Sequence, residues 1–164
     1  MLSFTGGEAR SVEEVHAEIR RAREASQIEG LTLLGGEPFA HAAGAAELAA
    51  RVLQDRLSVM IFSGYPLAEL RAMSDPAVHR LLGHTDILVD GPYLRELPET
   101  RRRWIGSANQ QIHFLTDRYR ADDPQWLLPN TLEIRLAGGE VAVNGFPAAK
   151  VKDFWRRLPQ SAEK

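Results

Sequence analysis

A chain of 164 residues, 44% hydrophobic and 26% charged, can bury one sizeable core and has the composition of an ordinary soluble globular domain. Its formal net charge of -2 gives no electrostatic case for binding nucleic acid or an anionic membrane, and no apolar run nears the roughly 20 residues that span a bilayer. It has no cysteine, so disulfides, thiolate nucleophiles, Cys-ligated zinc and cysteine-held iron–sulfur clusters are closed to these residues.

Met1 to Arg10 lacks a basic flank followed by an apolar core, so no secretory signal is visible and a cytoplasmic location is expected. Ser11 then precedes Val12, Val15, Ile19 and Ala22, an apolar stripe at helical spacing. Glu14, three residues after Ser11, completes a capping box. The interleaved Glu and Arg residues of this helix form a solvated face rather than a basic patch.

Gly30-Leu31-Thr32-Leu33-Leu34 is a short apolar run of the kind that makes a buried parallel strand. It stops at Gly35-Gly36-Glu37-Pro38. Two glycines open backbone angles closed to other residues, and Pro38 disfavours helix at Glu37. The alanine-rich stretch from Ala42 to Ala50, continued by Val52 and Leu53, predicts a crossover helix. Leu57 to Phe62 predicts a second strand ending at Ser63-Gly64-Tyr65-Pro66. Helical pattern at Leu67, Leu70 and Met73 breaks at Asp75-Pro76 and resumes at Val78, Leu81 and Leu82. Asp86 to Val89 predicts a third strand ending at Asp90-Gly91-Pro92-Tyr93.

Strands alternating with helices imply an α/β fold with parallel strands and right-handed crossovers. All three strand ends then share one edge of the sheet, where open α/β sheets bind ligands.

Beyond Tyr93 the pattern loosens. Arg101-Arg102-Arg103 reads as a solvated turn, and Asp122-Asp123-Pro124 as a surface turn rather than a metal site. Trp104-Ile105-Gly106-Ser107-Ala108-Asn109-Gln110-Gln111 sets polar amides beside a glycine, which suits a loop that contacts backbone. His113, among Ile112, Phe114 and Leu115, reads as a structural histidine. Leu132, Ile134 and Leu136, then Gly138-Gly139, then Val141 and Val143 predict a β-hairpin. A last amphipathic helix is expected through Val151, Phe154, Trp155 and Leu158.

Four blocks carry a family resemblance: Gly30 to Pro38, Phe62 to Tyr65, Leu88 to Tyr93, and Arg103 to Gln110. In this order they resemble the S-adenosylmethionine (SAM) radical enzymes. Within these, the likeness is to the short activating proteins of anaerobic ribonucleotide reductase and related glycyl-radical-enzyme activases. The resemblance spans about Ser11 to Gln111 and implies a partial β/α barrel of radical SAM type. One domain, 1–164, is expected, with a core at about 11–115 and a hairpin-and-helix extension at 116–164. Gly35, Gly36 and Glu37 would contact the methionine ammonium of SAM through backbone carbonyls and carboxylate, with Pro38 closing the turn. Ser63 and Asp90 would line the same cavity. Asn109 matches the family's Ser-Asn block without an assigned role.

The same resemblance implies a [4Fe-4S] cluster that cleaves SAM to a 5′-deoxyadenosyl radical, and a partner glycyl-radical enzyme or other large protein as substrate. This chain departs from the pattern there, because the CxxxCxxC loop that holds the cluster is missing. Met1-Leu2-Ser3-Phe4-Thr5-Gly6-Gly7-Glu8 resembles the segment after the third cysteine, so a start at an internal methionine of a longer frame is expected. Loss of a first strand would also leave the Gly30 to Leu34 strand near an open sheet edge. The alternative is a cluster-free module that binds SAM, a nucleoside or a protein partner. Alone, the 164 residues are expected to perform no radical chemistry.

Overall fold

A computed structural model describes residues 8–99, 101–128, 132–137 and 140–145. Helix α1, Val12–Ser26, starts where its sequence says it should. Ser11 Oγ accepts the Glu14 N–H at 3.2 Å, and Glu14 Oε2 accepts the Ser11 N–H at 2.8 Å. The Ser11 backbone N–H, then its hydroxyl, hold the Glu14 carboxyl below its ordinary range. The helix ends at Gln27, left-handed at φ 47, whose N–H returns to Arg23 O.

Strands β1 (Gly30–Leu33), β2 (Ser58–Phe62) and β3 (Ile87–Asp90) pair in parallel, and β4 (Gln111–Phe114) adds antiparallel to β3 in the order β1-β2-β3-β4. Helix α2 (Ala42–Gln54) makes the first crossover, after a 3-10 turn at Pro38–His41. Helices α3 (Leu67–Ala72) and α4 (Pro76–Gly83) make the second. Asp75 caps α4 by accepting the Ala77 N–H at 2.8 Å, with Pro76 in the first turn, where its missing N–H costs nothing. The mixed α/β sheet with three parallel strands matches the sequence expectation. The fourth strand was not among the expected strands. At one exposed and three half-buried residues it lacks the continuous apolar run that marks β3.

The core lies between α2, α4 and the sheet, where Ala49, Val52, Val59, Ile61, Leu70, Leu81 and Leu88 lose essentially all solvent. Small residues on α2 allow this approach, as Ala42, Ala46 and Ala49 are all buried. Val12, Val15 and Ile19 of α1 pack on the core but stay partly exposed. Two polar ties brace the amino ends of the strands, of which only the Asp86 bond to Val59 is fully buried. Asp86 accepts the Val59 N–H at 2.9 Å and the Thr116 hydroxyl at 2.6 Å. Arg118 donates to the carbonyls of Leu57 at 3.0 Å and Arg56 at 2.6 Å.

The chain forms two compact units, Met1–Tyr93 with Asn109–Ala121, and Leu94–Ala108 with Asp122–Lys164. In the second unit, Trp104 and Trp126 meet edge to face with centroids 5.2 Å apart, and the Arg103 guanidinium lies 4.3 Å over the Trp104 ring. Arg102 pairs with Glu99, so the basic triplet is held locally. Strands β5 (Leu132–Ala137) and β6 (Glu140–Gly145) form the expected antiparallel hairpin, with Leu136 opposite Val141. The Gly138-Gly139 turn and the helix expected through Val151 to Leu158 lie outside the described residues. Among the described residues no helix is long and apolar enough to cross a membrane.

Two outcomes follow from this packing. A Cβ at Gly30 would strike the Ser58 side chain and stand 2.5 Å from its carbonyl oxygen, so Gly30→Ala should destabilise the fold by about 1–3 kcal/mol. A shift of the urea midpoint reports this, and an unchanged midpoint would contradict the crowding. The Tyr119 hydroxyl donates to Glu29 Oε1 at 2.6 Å, and burial, then the Glu29 contact, raise its pKa above 10.0. A raised folded pKa contributes stability in full below the unfolded value and loses it as pH climbs through the folded one. Unfolding free energy should therefore fall above pH 10.0, and Tyr119→Phe should flatten that alkaline limb.

Candidate functional site

The parallel register, with Leu33 beside Ile61 and Phe62 beside Val89, brings the carboxyl ends of β1, β2 and β3 to one rim. Gly35 and Gly36 follow β1 with φ of 82 and 57, angles that L side chains avoid, and both are exposed. Glu37 returns to extended backbone before Pro38, and the chain then turns into the 3-10 helix.

The Glu37 carboxylate joins two strand ends. Its Oε1 accepts the Phe39 N–H at 3.1 Å, which caps the 3-10 turn, and the Ser63 hydroxyl at 3.0 Å. Its Oε2 accepts the Gly64 N–H at 2.8 Å. Ser63 Oγ in turn accepts the Tyr65 N–H at 3.0 Å, and the Ser63 N–H donates to Val89 O at 2.9 Å. A carboxylate offers about four lone-pair sites, so these three bonds leave Oε2 room for one further donor.

Asp90, 6% exposed, ends β3 next to Ser63. Its Oδ2 accepts the Leu67 N–H at 2.6 Å and so caps α3. His113 Nε2, on β4, lies 2.9 Å from the same oxygen, an ion-pair distance when the ring is protonated, though without hydrogen-bond alignment. The next turn rests on amides. Asn109 Nδ2 donates to Pro92 O at 2.7 Å, and Gln110 Nε2 donates to Gly91 O at 3.0 Å.

Of the six residues expected at the site, Glu37 and Ser63 are directly bonded, Gly35, Gly36 and Pro38 flank Glu37, and Asp90 stands at the adjacent strand end. The structure adds His113 and Gln110, which the sequence did not mark as site residues. The amide-rich loop was the available signal for Gln110. Beside the rim, a cleft of about 370 Å³ is lined by Arg10, Val12, Val15, Leu34, Gly35 and Pro38 among others. It lies among α1, the end of β1 and α2, and neither Ser63 nor Asp90 lines it.

Residues 1–113 match the model of a family described as a 4Fe-4S single cluster domain. The anaerobic ribonucleoside-triphosphate reductase-activating protein of Vibrio cholerae is 37% identical over 91 residues, covering 53% of this chain and 56% of that protein. The protein of that name from Haemophilus influenzae is 33% identical over 90 residues, covering 52% and 55%. That from Escherichia coli is 29% identical over 92 residues, covering 53% and 56%. The chain thus spans about half the length of the curated relatives it matches.

The donor set here does not fit such a cluster. Iron–sulfur clusters are held by thiolates, and these 164 residues contain no cysteine. Among the described residues no three His, Asp or Glu side chains gather as metal ligands either. What the rim offers is oxygen: exposed turn backbone at Gly35-Gly36 and carboxylates at Glu37 and Asp90, a setting for a cation.

Glu37→Gln tests the rim directly. An amide cannot accept at both ends, so one of the Ser63, Gly64 or Phe39 donors would face an N–H₂ group. A loss of about 1–3 kcal/mol in unfolding free energy is expected by chemical denaturation. Wild-type stability in this variant would show that the ties are dispensable.

Proposed function

The chain belongs to the radical SAM-type family of 4Fe-4S single cluster domains, which takes in activating-protein-like members, and from that premise we propose that its strand-end rim binds SAM by the methionine ammonium. In this reading the exposed backbone of Gly35 and Gly36 accepts from the ammonium, and Glu37 Oε2 supplies the remaining charged acceptor. Pro38 fixes the exit of the turn. Ser63 holds Glu37 in place, and Asp90 forms the neighbouring wall.

The observation that carries the proposal is the Glu37 carboxylate itself. It is already oriented by three hydrogen bonds from two strand ends, and it retains one acceptor position at the rim. A preoriented anion loses little entropy when a cation arrives.

The wider activity follows the family. An activating protein of this type would use SAM to place a glycyl radical on a large partner enzyme, and a partial β/α barrel would enclose the ligand. The residues here supply binding and orientation for SAM. No redox step is assigned to them, because they hold no ligand for a cluster. The lack of cysteine favours a second reading, a SAM- or nucleoside-binding module that works without electron transfer.

Calorimetric titration of this polypeptide with SAM and with its deaminated analogue, which lacks only the methionine amine, tests the site. SAM is expected to bind about tenfold or more tightly than the analogue, the difference expected of one charge-assisted contact. Equal affinities, or no binding of SAM, would overturn the assignment of the ammonium to Gly35, Gly36 and Glu37. Cluster-dependent cleavage of SAM by this same polypeptide would overturn the second reading.

A further inference from the structure

The turn that follows Asp90 is held in an unusual way. Gly91 has φ 96, and Pro92 has no N–H to contribute, so the turn is short of donors of its own. Its two successive carbonyls each receive a side-chain amide, Gly91 O from Gln110 Nε2 at 3.0 Å and Pro92 O from Asn109 Nδ2 at 2.7 Å. Both donors come from the two residues just before β4, whose first residue, Gln111, is the register partner of Asp90. Gln110 is 7% exposed, so its bond is shielded from competing water.

Carboxamides suit this position. Each presents N–H donors to a carbonyl without bringing a charge, whereas a carboxylate of the same size would set acceptor against acceptor. The turn is pinned on its far side as well, because Asp90 Oδ2 accepts the Leu67 N–H at 2.6 Å. The third strand end is thus fixed between α3 and the Asn109-Gln110 pair. Its neighbour, the second strand end, is fixed by Glu37.

We infer that Asn109 and Gln110 are positioning residues that set the Asp90 wall of the rim through the Gly91-Pro92 turn, an inference that rests on the rim being the SAM site. They touch no ligand in this role. They determine whether the third strand end stands in register with the other two when SAM arrives.

The test uses Asn109→Asp and Gln110→Glu, which remove the donors at constant size, and Asn109→Ala, which does so without placing a charge beside a carbonyl. Hydrogen exchange over the segment 87–97 and the calorimetric affinity for SAM are read on the same samples. Each variant should speed exchange in that segment, leave β1 and β2 protected, and weaken SAM about tenfold, as one lost hydrogen bond would. Unchanged exchange would show that the amides do not hold the turn. Faster exchange with wild-type affinity would overturn the positioning role alone. If the wild-type chain binds no SAM, the site reading fails first and this role with it, whatever the exchange shows.

Discussion

One carboxylate holds the rim together. Glu37 sits at the end of β1, yet its oxygens take hydrogen bonds from the end of β2, so neither turn can move alone. Parallel strands bond along their length but not beyond it, and the loops that leave them are free unless a side chain crosses between them. Glu37 makes that crossing. The glycines before it can adopt left-handed angles in open space because the residue after them is anchored.

The same device recurs along β3. Asp86 at its amino end accepts the Val59 N–H, and Asp90 at its carboxyl end accepts the Leu67 N–H. Each buried carboxylate satisfies a backbone donor that the sheet or a short helix leaves without a partner. The acids of this unit therefore act as connectors between elements. In a ligand site this has a benefit beyond stability, because a carboxylate already held by N–H and O–H donors keeps its direction.

Much of this is legible in the sequence, for identifiable reasons. Ser11 and Glu14 announce the start of α1 because capping is local chemistry, and the structure forms both bonds. Strands β2 and β3 show through because burial leaves apolar runs such as Ile87 to Val89, whereas β1, a sheet edge with no fully buried residue, shows through by its leucines and the Gly35-Gly36 turn that ends it. Strand β4 does not show through, because Gln111 and His113 interrupt its apolar residues and leave no such run. The position of Glu37 is readable from Gly35-Gly36 and Pro38, but its partners are 26 and 27 residues away, and only the sheet register brings them together. His113 reads as structural, and the structure sets it beside Asp90, a pairing no local pattern encodes. The amides at Asn109 and Gln110 suggest backbone contact; which backbone is a matter of fold.

Helix α1 is anchored differently from every other helix in its unit. It contributes no fully buried residue, and its polar link to the rest is the contact of His16 with Asp55, 2.7 Å across to the end of α2. Helices α2, α3 and α4 each place at least two side chains in the dry core. Cooperative opening follows buried apolar contact, so among the helices of this unit α1 is the one that detaches without exposing a fully buried side chain of its own. Such a sub-global opening would uncover the cleft beside Gly35 and Pro38, since Val12 and Val15 form one of its walls. Detachment of this one helix would widen that cleft by removing a wall, and the capping box at Ser11 helps to keep the wall in place.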